Sequence, residues 1–141
     1  MEGLNGWVGL LAAAVFLFVL GMQWQTLRTA RRMRGQCLQP EQLPQGTKPS
    51  ASGHLLLYFH SAGCIMCPPV TRIIESLRPG RPWIVPVDAR AHLDLARACG
   101  VRGTPALVLL HDGCIRQVLV GQKSREAIER LISEVSDERA G

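Results

Sequence analysis

Leu55-Leu56-Leu57-Tyr58-Phe59, then Cys64-Ile65-Met66-Cys67, then Val70, Ile73, Ile74 and Leu77 at helical spacing: the rest of the chain is understood outward from this run. An unbroken apolar stretch of five residues reads as a buried strand, and the spacing that follows reads as an amphipathic helix. Two cysteines separated by two residues at the start of a helix can close a small disulfide without unwinding the backbone. Unpaired N–H groups of the first turn and the helix dipole favour a thiolate on the first of them. Strand, Cys-x-x-Cys and helix in that order read as a dithiol redox site. The same four residues are also half a zinc site, but no second Cys-x-x-Cys or Cys-x-x-His follows to complete four ligands.

About forty residues downstream, Val101-Arg102-Gly103-Thr104-Pro105 precedes a second apolar run, Ala106 to Leu110. Gly-Thr-Pro entering a strand is a candidate cis-proline turn. With the cysteine pair, this order resembles the thioredoxin-like family over roughly residues 53–136. Asp112-Gly113 matches the hairpin turn and Val120-Gly121 the end of the last strand. The resemblance implies an α/β fold, a thiol–disulfide oxidoreductase and a catalytic pair Cys64 and Cys67. It also implies substrate contacts at Thr104, Pro105, Ile65 and Met66. No cofactor beyond the Cys64–Cys67 disulfide is expected. Its partners would be protein disulfides or dithiols and a further thiol redox protein.

Departures from the family pattern are informative. The familiar Trp-Cys-Gly-Pro-Cys-Lys is here Gly63-Cys64-Ile65-Met66-Cys67-Pro68. Where the family carries a buried aspartate, thought to take the second cysteine's proton, this chain has Tyr58, a poor base at neutral pH. Pro68 and Pro69 are expected in the first turns of the helix, where a missing N–H does least harm.

The chain has 141 residues, room for one modest domain plus extras. Residues 6–22 carry no charged or strongly polar side chain, and Trp7 and Trp24 bracket the run. Such a segment suits a single membrane-crossing helix with interfacial anchors. A cleaved signal peptide fits less well: Glu2 is the only charge before Arg28, and no small-x-small cleavage site follows. Arg28, Arg31, Arg32 and Arg34 all follow the span, which predicts a cell-membrane protein with its domain in the cytoplasm; a periplasmic domain is the alternative. These arginines are accounted for by topology and anionic headgroups. From residue 53 onward eleven basic side chains face nine acidic ones, so no nucleic-acid partner is expected. Gly3, Gly6 and Gly9 give a faint helix-packing signal.

Three regions result: an anchor over 1–27, a basic juxtamembrane segment and flexible linker over 28–53, and the domain over 54–138. Within the linker, proline, glutamine, serine and glycine dominate and no period survives. The patterning predicts strand 54–60, helix 64–78, strand 82–87, helix 91–99, strands 105–111 and 115–121, and helix 124–138 capped by Ser124. Pro82 and Pro86 put their strand on an edge. The resemblance then implies a reduced, four-stranded mixed sheet flanked by helices, with the linker standing where longer relatives have an extra strand.

Cys99 reads as a buried hydrophobe, Cys114 as an exposed residue after a turn, and Cys37 as a linker thiol; together they suggest no disulfide framework. His60, four residues before Cys64, offers a rival from another class. With Cys64, Cys67 and Met66 it would make a soft site for copper or zinc, and the protein a metal carrier.

Overall fold

A computed structural model describes residues 2–137, with side chains at 6–24 and 34–137. It divides into two units, residues 1–32 and 33–141. The first is a single helix, α1, over Glu2–Met33. Gly6–Trp24 is apolar enough to cross a membrane, with a mean hydropathy of 2.0. A signal sequence has the same apolar character. The helix continues past residue 27, where the anchor was expected to end. The side chains of Arg28, Arg31 and Arg32, on which the topology expectation rests, lie outside the described residues, as do Met1 and the last expected helical residue, Glu138.

The second unit is built around β1 (His54–His60), whose first six residues are all buried. A strand buried at consecutive positions is covered on both faces, which is why its sequence does not alternate. β2 (Ile84–Asp88) pairs with it in parallel and β3 (Ala106–His111) antiparallel on the other side. β4 (Cys114–Val120) continues antiparallel from β3, giving the order β2-β1-β3-β4. The mixed four-stranded sheet is the one expected, and β2 takes the edge that Pro86 demands. Asp112 and Gly113, at φ 50° and 79°, form the tight turn between β3 and β4, a geometry that suits asparagine, aspartate and glycine.

Helices α2 (Cys67–Leu77), α3 (Leu93–Ala98) and α4 (Arg125–Asp137) flank the sheet. Val70 and Ile74 of α2 and Ile128, Leu131, Ile132 and Val135 of α4 join Leu55–Phe59 and Leu107–Leu110 in one core. The Ser124 hydroxyl accepts from the Ala127 N–H at 3.3 Å, capping α4. α3 is shorter than the 91–99 expected, and α2 starts three residues later than expected.

That late start has a simple cause. A helical N–H donates to the carbonyl four residues back, and only the first positions are exempt. Pro69 has no N–H, so it has to fall at the third helical position or earlier. A helix entering these prolines therefore cannot begin before Cys67, and α2 begins there.

The flexible linker is corrected outright. Residues 35–38 lie along the outer edge of β4: the Gly35 N–H donates to the Ile115 carbonyl, Leu38 N–H to Gly113 and Ile115 N–H to Gln36, each at 2.8 Å. Cys37 and Cys114 face each other in this short bridge and are joined as a disulfide. Leu38 enters the core, Pro40–Gln42 make one 3-10 turn, and Leu43 packs against the core. An edge strand exposes a row of unpaired backbone groups. The segment satisfies part of that row, and one buried leucine suffices to orient it without any periodic pattern.

Candidate redox site

The loop after β1 delivers Cys64, and the first position of α2 delivers Cys67. The two are disulfide-bonded, with their Cα atoms 5.4 Å apart. Cys64 is half-buried and precedes the helix, whereas Cys67 is only 4% exposed. The expectation that both would lie within the helix thus holds for Cys67 alone. Two turn bonds shape the loop: Cys64 N–H to the Ser61 carbonyl at 3.3 Å, and Cys67 N–H to the Cys64 carbonyl at 3.4 Å.

Across from the pair runs the turn into β3. The Thr104–Pro105 peptide is cis, Pro105 is buried, and Cys64 Sγ lies 3.5 Å from the Thr104 carbonyl oxygen. A hydroxyl contact between Ser61 and Thr104, 2.8 Å, ties the two loops together. The sequence pairs the cysteines with Thr104 and Pro105 but gives no hint of Ser61, because a serine in a loop carries no pattern of its own. Ile65 is 91% exposed and Met66 47%, so the two residues between the cysteines offer apolar surface to solvent. An open cleft of about 420 Å³ runs beside the cysteine pair, with His60, Cys64, Cys67, Thr71 and Arg72 in its lining.

Beneath Cys67 the floor is hydroxylic. Tyr58 is buried; its hydroxyl lies 2.8 Å from the Thr71 hydroxyl and donates to the Cys67 carbonyl at 3.2 Å. Burial pushes the phenol above its ordinary value, against the opposing Thr71 hydrogen bond, and Glu75 adds to the rise. Tyr58 therefore stays neutral across the physiological range and supplies no base. Thr71 is absent from the sequence reading, although it stands four residues after Cys67 and so one turn below it on the same helix face.

His60 ends β1 in register with Asp88 at the end of β2. The Arg90 backbone N–H, bonded at 2.9 Å, is the main influence holding the Asp88 carboxyl below its ordinary value. Among the described residues, no three His, Cys, Asp or Glu side chains gather so as to hold a metal ion. Cys99 is fully buried, and burial raises its thiol to about 12, which favours the neutral thiol over the reactive thiolate.

Residues 45–134 match the family model for thioredoxin. A thioredoxin of Chlamydia muridarum is 33% identical over 85 residues, which are 59% of this chain and 83% of the relative. A thioredoxin of Bacillus subtilis is 28% identical over 87 residues, 60% and 84% of the two chains. Among solved structures, a point-mutant thioredoxin from Halobacterium salinarum superposes with a TM-score of 0.55 at 29% identity, covering 60% of this chain and 75% of that one.

Proposed function

The chain belongs to the thioredoxin family, a thiol–disulfide oxidoreductase with a Cys64–Cys67 pair, and on that premise we propose that it reduces protein disulfides from a membrane tether. Cys64, the more accessible sulfur, attacks a substrate disulfide as thiolate and forms a mixed disulfide. Cys67 then attacks Cys64, releasing reduced substrate and leaving the pair oxidised. The contact of Cys64 Sγ with the Thr104 carbonyl carries this reading. It supports a substrate strand lying along Thr104, with exposed Ile65 and Met66 providing apolar contact. With Tyr58 neutral, the Cys67 proton leaves to water or to the substrate's departing thiolate.

Gly6–Trp24 supports the tether. The arginines that follow it support a cytoplasmic domain acting as reductant. The Cys37–Cys114 bond favours the other side, where thiols are kept oxidised. Labelling of a cysteine introduced at Ser52, with an impermeant maleimide in intact cells, separates the two: slow labelling supports the cytoplasmic domain, rapid labelling reverses it. The exchange chemistry is tested by Cys67→Ser, which is expected to accumulate mixed disulfides on non-reducing gels. Full insulin-reducing turnover by that variant would defeat the two-step scheme.

A further inference from the structure

Cys37 and Cys114 lie at the end of the sheet away from the Cys64–Cys67 pair. β3 begins beside Pro105 and runs six residues to His111, which pairs with Cys114. At the usual rise per strand residue that is about 20 Å, so the sulfurs of the two pairs cannot meet within one domain. The bond between Cys37 and Cys114 does what no backbone contact there does alone. It fixes residues 35–38, held otherwise by three hydrogen bonds and Leu38, to an edge strand. Cys37 is exposed and Cys114 half-buried, so a small thiol can reach the bond from solvent. Cys99 shows the contrast, since it is sealed in the core.

We propose that Cys37 and Cys114 are a second thiol–disulfide site, opened and closed by low-molecular-weight thiols and disulfides such as glutathione, which clasps the incoming chain onto β4. Closure begins with attack of the Cys37 thiolate on the small disulfide, releasing one small thiol and leaving a mixed disulfide. Cys114 thiolate then attacks Cys37 sulfur and releases the second. Two protein thiols are oxidised, one small disulfide is reduced, and the two protein protons end on the two small thiols. Opening is the reverse. The open form leaves the segment on its hydrogen bonds and one leucine, so its amides exchange faster.

The test uses the full chain in detergent micelles, equilibrated with reduced and oxidised glutathione, alkylated in acid and digested for mass spectrometry. A linked Cys37–Cys114 peptide is expected in oxidising buffer and its loss in reducing buffer, at a rate unchanged in the Cys64→Ser, Cys67→Ser double variant. Hydrogen exchange at Gly35, Leu38 and Ile115 is expected to rise by about tenfold or more when the bond opens, and equally in Cys37→Ser and Cys114→Ser. No linked peptide in any buffer would overturn the proposal. So would a bond that millimolar glutathione leaves closed, exchange that ignores the bond's state, or opening that slows when Cys64 and Cys67 are removed.

Discussion

The two ends of the sheet carry the same chemistry in opposite settings. At one end Cys64 and Cys67 are three residues apart, beside an apolar loop and below two exposed apolar side chains. At the other, Cys37 and Cys114 are 77 residues apart, set between segment 35–38 and an edge strand. A disulfide stabilises chiefly by restricting the unfolded chain, and the restriction grows with the loop it closes. The short bond therefore does little for folding and is free to break in every turnover. The long one does more for folding, and the exchange proposed for it is with small thiols alone. Context, not the sulfur atoms, divides the labour.

The largest expected effect separates the ends by activity. Cys64→Ser should lower insulin reduction by at least about a thousandfold, as expected for losing the nucleophile. Cys37→Ser and Cys114→Ser should stay within about twofold of the parent chain, since no reacting group is touched. Equal losses in both would erase the distinction.

The next separates them by stability. The loop-entropy relation gives about 4.5 kcal/mol for the bond spanning 77 residues and about 2 kcal/mol for the one spanning three. Urea unfolding of the domain with one pair replaced by serine at a time reads the difference. A larger loss at the Cys64–Cys67 end would reverse the assignment of roles.

Much of this architecture is legible in the sequence. β1 was placed residue for residue, because five consecutive apolar residues bounded by turn signals have few other readings. The edge position of β2 followed from Pro86, and the facing turn from Gly103-Thr104-Pro105. The start of α2 was equally available, since Pro69 excludes an earlier one, but the apolar period drew the boundary to Cys64. The docking of segment 35–38 is not legible. Its contacts with β4 are backbone hydrogen bonds with no side-chain signature, and its one core residue, Leu38, has no periodic neighbours. For the same reason Cys37 and Cys114 looked unrelated: nothing local connects residues so far apart in the chain.

A smaller effect concerns the fifth cysteine, which belongs to neither end. Cys99 has its thiol raised from an ordinary value near 9 to about 12. The folded protein therefore holds this proton after the unfolded chain has released it. The contribution of Cys99 is expected to be intact below pH 9 and to be lost at up to about 1.4 kcal/mol per pH unit as the pH climbs towards 12. Cys99→Ala should remove that share of the alkaline slope and leave the share of Tyr58, whose phenol burial also raises, and denaturation across alkaline pH measures the difference. An unchanged slope would place the titrating group elsewhere.

The smallest effect asks whether the hydroxylic floor at the active end is structural. Tyr58→Phe deletes the bonds to Thr71 and the Cys67 carbonyl and should cost about 1–2 kcal/mol. Turnover at neutral pH should change by no more than about twofold, because the phenol is uncharged there and moves no proton. A tenfold fall would make Tyr58 part of the exchange machinery.

The incoming chain meets the domain at Gly35, beside the β3–β4 hairpin, and thus at the end remote from Cys64. Segment 35–38 and the reactive pair thus lie at opposite ends of the sheet. Substitutions along residues 35–38 are then expected to leave access to Cys64 unaltered.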